Sequence, residues 1–136
     1  MPQSTENEAN GWRRLYPFAS HWIETPAGRI HYVDEGAAEA NGDFASTLLF
    51  VHGNPTWSFH WRRLIEALRP DHRCIAPDHI GCGLSDKPAR LFSLDDHIDN
   101  LCALVDKLNL ERLTLVAQDW GGAIGLGAML RMPERL

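Results

Sequence analysis

The sequence predicts an α/β domain: a mostly parallel sheet entered through an N-terminal antiparallel hairpin, with helices on both faces. Three observations carry this. Short, unbroken apolar runs at Thr47–Val51, 74–76 and Leu113–Ala117 have the composition of strands buried on both faces. Segments with helical spacing of apolar residues alternate with those runs, which is the signature of a parallel sheet covered by helices. Ahead of them, two strand-like runs flank the turn residues Pro26-Ala27-Gly28.

The elements follow in order. A polar tail runs to about Gly11, and the aromatic-rich stretch 12–18 completes an N-terminal leader over 1–18. Residues 19–136 then form the domain. His21–Thr25 and 29–33 are the hairpin strands, and 36–43, small and polar, is a surface loop. The strand Thr47–Val51 ends in the turn His52-Gly53-Asn54-Pro55. A helix is predicted over 57–68, from the spacing of Trp57, Trp61, Leu64, Ile65 and Leu68, and Pro70 marks its end. A strand at 74–76 leads into Pro77-Asp78-His79-Ile80-Gly81-Cys82-Gly83. Ser93 and Leu94 open a second helix, with Ile98, Leu101, Cys102, Val105 and Leu108 on its apolar face. Leu113–Ala117 is the third buried strand and runs into a final apolar helix.

Composition bounds the function. The chain has 136 residues, enough for one domain. At 44% apolar and 23% charged it has the composition of a globular protein, not of a disordered one. A net charge of -5 is the wrong sign for a phosphate-binding surface, so no nucleic-acid partner is expected. Three widely spaced cysteines, Cys74, Cys82 and Cys102, suit reduced thiols in a cytoplasmic protein. The opening MPQSTENEANG lacks the apolar core of a signal peptide, and the most apolar stretch, 120–130, is far short of the about 20 residues of a membrane span. No membrane partner and a cytoplasmic location are expected. Cys74, Cys82 and His79 lack zinc-ligand spacing, so no metal is expected. Gly81-Cys82-Gly83 lacks the third glycine of a dinucleotide fingerprint, Asp86 standing in that place.

In parallel sheets function gathers at the carboxyl ends of strands, which here are 52–57 and 118–122. Ala117-Gln118-Asp119-Trp120-Gly121 has the form of a nucleophile elbow, small residues two before and two after the centre allowing a sharp strand-to-helix turn. The central residue is an aspartate. A serine there would need a base to remove its proton. An aspartate, with an ordinary pKa of about 3.9, is already anionic at neutral pH and can attack an electrophilic carbon directly. The helix N-terminus behind it favours the charge. Asn54 and Trp120 supply neutral donors that could stabilise a departing anion. Each has a plainer reading as well: Asp119 as a helix N-cap, Asn54 as turn chemistry before Pro55, Trp120 as a core aromatic. His52 reads as a structural polar group at a strand end.

Val51-His52-Gly53-Asn54-Pro55-Thr56-Trp57-Ser58, taken with Gln118-Asp119-Trp120-Gly121-Gly122, strongly resembles the haloalkane dehalogenases of the α/β-hydrolase superfamily. Pro77-Asp78-His79-Ile80-Gly81-Cys82-Gly83-Leu84-Ser85-Asp86 resembles the loop that connects these motifs in that family, and the likeness runs through residues 22–136. The resemblance implies an α/β-hydrolase fold, Asp119 as the alkylated nucleophile, and Asn54 and Trp120 as the halide holders. It further implies hydrolysis of a carbon–halogen bond with water and no cofactor, on a small apolar electrophilic substrate. Epoxide hydrolases share the elbow aspartate, and the β-lactone decarboxylases of olefin biosynthesis share the His-Gly-Asn-Pro-Thr-Trp-Ser and Gly-Cys-Gly-Leu-Ser stretches. A non-catalytic remnant of the same fold is the reading from another class.

In this superfamily a helical cap, an acid and a water-activating histidine follow the elbow. Beyond Asp119 the sequence has no histidine and one acid, Glu134; its histidines stand at 21, 31, 52, 60, 72, 79 and 97. The sequence is therefore expected to represent the N-terminal half of such a hydrolase, truncated before the cap and the C-terminal strands. Two consequences are expected of it: a single turnover at most, and Leu113–Ala117 left as a sheet edge.

Overall fold

The Thr25 side chain closes the predicted hairpin. Its hydroxyl donates to the Gly28 carbonyl at 2.7 Å and accepts the Ala27 N–H at 3.2 Å, joining β1 (His21–Thr25) to β2 (Gly28–Glu35). The computed structural model describes residues 10–36 and 46–136. Most of the expected polar tail and most of the expected 36–43 loop lie outside the described residues.

β2 is longer than the sequence suggests because it has a second partner. It pairs antiparallel with β1 and, from Tyr32↔Pro77 to Glu35↔Cys74, with β4 (Arg73–Pro77). β4 lies parallel to β3 (Thr47–Val51), and β3 parallel to β5 (Leu113–Ala117). The five-stranded order is β1-β2-β4-β3-β5. The sheet is thus mixed: antiparallel on the hairpin side, parallel where the strand exits carry the candidate chemistry. β3, inside the parallel part, is buried along its whole length. β5 was expected to be buried as well, but only Leu113 is, because β5 is the outer strand among the described residues.

The period-two alternation of the strands feeds two cores. On one face Leu49, Val51 and Ile75 pack with Ile98, Leu101 and Leu104 of α2 (Leu94–Lys107) and with Ile124 and Ala128 of α3 (Trp120–Arg131). On the other, Leu48, Phe50, Cys74 and Ala76 pack with Tyr16, Phe18, Trp61 and Ile65. Leu49, Phe50, Ile65 and Ile75 are fully buried, each contributing about 1.5–3 kcal/mol of transfer free energy.

Two helix starts show opposite fates of a sequence signal. α2 opens at Ser93 and Leu94 as read, and the structure adds a cap: the Ser93 hydroxyl accepts the Asp96 N–H at 3.1 Å, and the Asp96 carboxylate accepts the Ser93 N–H at 2.8 Å. The helix expected over 57–68 is instead a 3-10 turn, Ser58–Trp61, followed by α1 (Arg62–Leu68). Trp57 is extended, and the Ser58 N–H donates to the buried carboxylate of Asp78 at 2.7 Å, so the first turn is tied to a neighbouring loop.

Candidate active site

At the exit of β5 the chain reverses sharply into α3. Asp119 makes the turn at φ 56, ψ -130, a conformation that residues with a side chain adopt only under constraint. Gly121 permits it: a Cβ there would overlap the carbonyl oxygen of Val51, so only glycine lets α3 start this close to the end of β3. Asp119 occupies the N-cap position of α3, yet its side chain caps nothing. The carboxylate stands exposed, and the N–H groups of Trp120 and then Asn54 hold its pKa below the usual aspartate value.

The second element of the site is the exit of β3, next to β5 in the sheet. There the Asn54 N–H donates to Asp119 Oδ2 at 3.1 Å. Asn54 and Trp120 line one cavity of about 280 Å3, together with Phe92, Leu94 and Ile124. Trp120 is 54% exposed, which sets it apart from a core aromatic. All three residues singled out in the sequence are therefore neighbours, although Asn54 and Asp119 lie 65 positions apart.

The sequence reading missed the third wall. His79 and His97 line the same cavity. His79 is locked to His52: its N–H donates to His52 Nε2 at 3.0 Å, and its own Nε2 lies 2.8 Å from the His52 carbonyl oxygen. The rings of His52 and His79 are 4.0 Å apart, and that of His97 is 5.4 Å from His79. Burial pushes the His52 pKa down, and takes His79 to about 3, so the pair is neutral at pH 7. No spacing rule pairs residues 52 and 79. The available signal was topological: each falls just past the end of one of two adjacent parallel strands.

Beneath this wall lies a buried polar hub. Asp78, fully buried, accepts from His31 Nδ1 at 2.9 Å, the Leu84 N–H at 2.9 Å and the Ser58 N–H at 2.7 Å. Burial alone would raise its pKa, but these donors together outweigh it and hold the carboxyl below the ordinary value. The hub fixes the β4 exit loop against β2 and the 3-10 turn, and so fixes the strand exit from which His79 projects. Among the described residues no three His, Cys, Asp or Glu side chains gather as metal ligands, and no helix is long and apolar enough to cross a membrane.

Known proteins show the same architecture. A sequence model described as the alpha/beta hydrolase fold matches residues 46–136. Among curated proteins the chain is 48% identical over 126 residues to a cis-3-alkyl-4-alkyloxetan-2-one decarboxylase of Shewanella oneidensis, covering 90% of this chain and 37% of that protein. It is 43% identical over 124 residues to haloalkane dehalogenase 2 of Mycobacterium bovis, covering 90% of this chain and 41% of that protein. The chain thus spans about two fifths of the length of these curated relatives. Among solved structures it superposes on the haloalkane dehalogenase DpaA from Paraglaciecola agarilytica NO2 with a TM-score of 0.84 at 33% identity, covering 95% of this chain and 44% of the other. For the haloalkane dehalogenase DbeA from Bradyrhizobium elkani USDA94 the TM-score is 0.79 at 36% identity, covering 88% and 39%.

Proposed function

The chain belongs to the alpha/beta hydrolase fold family, and we propose that within it Asp119 is the nucleophile of a haloalkane dehalogenase-type hydrolase. A carboxylate oxygen of Asp119 attacks the carbon bearing the halogen and forms an ester. The electron pair of the carbon–halogen bond leaves with the halide, which the Asn54 amide and the Trp120 indole N–H receive. The observation that supports this most is the placement of an exposed, anionic carboxylate at a constrained turn, next to a cavity that Asn54 and Trp120 line. The residues that line that cavity carry no carboxylate of their own; Asp119 stands beside it, bonded to the Asn54 N–H.

Release of the alcohol then requires water to attack the ester, with a base to take its proton. Every histidine of the 136 residues precedes Asp119, and the family resemblance puts the base after the elbow. The step proposed for these residues is therefore formation of the ester. Incubation with 1-bromobutane should add one butyl group to the peptide containing Asp119 and release one equivalent of bromide. Absence of any adduct would remove the nucleophile from the account and leave the non-catalytic reading.

The 48% identity to the oxetanone decarboxylase favours a second reading of the same residues. Asp119 attacks the ring carbon that bears the ring oxygen, the C–O bond breaks, and the freed carboxylate meets the same donors. Loss of carbon dioxide forms the alkene and expels Asp119 unchanged. No water is consumed, so this reaction turns over without a base. Repeated formation of alkene from a cis-3,4-dialkyl oxetan-2-one, with no stable adduct, would select it over dehalogenation.

A further inference from the structure

The Asn54 N–H that meets Asp119 belongs to the peptide unit whose carbonyl is that of Gly53. That unit is planar and trans, so its C=O and N–H point in opposite directions, and whatever fixes one aims the other. The His52 ring fixes the carbonyl: its Nδ1 lies 2.7 Å from the Gly53 oxygen. That contact is a bond only if Nδ1 carries the proton. The His79 N–H settles the point, because it donates to His52 Nε2 and leaves that nitrogen bare. The His79 ring adds a second grip, its Nε2–H donating to the His52 carbonyl at 2.8 Å.

We propose that His52 and His79 form a positioning pair, in which His79 sets the tautomer and place of His52, and His52 turns the Gly53–Asn54 peptide so that its N–H is aimed at Asp119. Neither ring touches the reacting atoms. The pair acts through the backbone of Asn54, and it rests on the nucleophile reading only for its catalytic meaning. Through His79 the pair also contributes to the third wall of the cavity, and burial keeps that ring neutral at pH 7.

The test reads the backbone directly and the chemistry separately. Nitrogen-15 NMR of the unaltered protein should show neutral His52 with its proton on Nδ1; a proton on Nε2 overturns the proposal without any variant. Amide exchange at Asn54 should then accelerate about tenfold, the worth of one hydrogen bond, in His52→Gln, whose amide reaches the place of Nε2 and leaves no donor at that of Nδ1. It should stay within about twofold of the parent in His52→Asn, whose amide replaces Nδ1–H. His79→Leu, at a less buried position, should accelerate it as well, with exchange at Leu49 of β3 unchanged in all three. Equal effects at Asn54 and Leu49, or none at Asn54, would reduce the pair to ordinary packing. Alkylation of Asp119 by 1-bromobutane, run alongside, should slow in the variants where Asn54 exchange rises. If the parent itself forms no adduct, the nucleophile reading fails, while the exchange data still decide the positioning pair.

Discussion

Gly53 lies against the side chain of Asp119 so closely that a Cβ on residue 53 would stand 2.5 Å from the Asp119 Cβ and 2.8 Å from Oδ2. The Gln118 carbonyl, 2.9 Å from the same point, closes the escape route. Glycine is therefore required here by the Asp119 side chain, not by its own backbone. Gly53→Ala should displace the carboxylate while leaving both cores intact, and should slow alkylation of Asp119 by about tenfold or more. A mass-spectrometric time course checks this. An unchanged rate would mean that the position of the carboxylate is not set from β3.

Asp119→Asn removes the charge and keeps the shape. Asn also tolerates positive φ better than most residues. The variant should fold, melt close to the parent and form no adduct. In the parent the Trp120 and Asn54 N–H groups hold the Asp119 pKa below the ordinary value, so the reactive, deprotonated form persists as pH falls. The alkylation rate should be flat from pH 8 to about pH 5. It should show no step near pH 6.5 either, because burial lowers the pKa of His52 and takes that of His79 to about 3. A rate that halves near pH 6.5 would place a titrating histidine in the reaction.

The same burial has a cost in stability at acid pH. The His79 pKa is depressed to about 3 in the folded protein, and that of His52 is lowered too. Above about pH 6.5 both rings are neutral in the folded and unfolded chain, and stability does not depend on them. Below it the unfolded chain binds protons that the folded one refuses, so stability falls, by up to about 1.4 kcal/mol per pH unit for His79, until the folded-state pKa is passed. Asp78 is also depressed, but its contribution is present above the ordinary carboxyl pKa and is lost only below it. The window from pH 6.5 to about pH 4 therefore isolates the histidines. Urea midpoints should drop between pH 7 and pH 5 and drop less in His79→Gln; equal slopes would contradict this.

What the sequence showed and what it hid divide along a physical line. Thr47–Val51 was legible as a strand because the four consecutive apolar residues after Thr47 suit a strand buried on both faces, and the start of α2 at Ser93 because helix-start signals are local. That Asp119, Asn54 and Trp120 would be neighbours was legible because the exits of parallel strands gather at one end of a sheet; their roles stand as proposed. The His52–His79 lock and the His31–Asp78 pair were not, since each joins residues far apart in sequence and becomes visible only once strand order is known. The 57–68 helix failed for a related reason: its helical spacing was real, but the Ser58 N–H bonds to Asp78, and no local rule could foresee a partner 20 residues away.

The outer strand carries the last prediction. Among the described residues β5 pairs only with β3, and α3, which follows it, exposes Leu126 at 61% and Leu130 at 82%. An open edge beside exposed leucines is a template for pairing with another chain. The 136-residue polypeptide should therefore self-associate as its concentration rises, which sedimentation would show as a growing mean mass. Thr114, exposed on β5, and Leu130 are the places to interrupt it. Lysine at such sites blunts an edge because pairing would have to bury its charge. Thr114→Lys combined with Leu130→Lys should return the protein to a monomer without lowering its Tm, since neither side chain belongs to either core. A parent protein that stays monomeric at every concentration would show that the β5 edge is protected in solution.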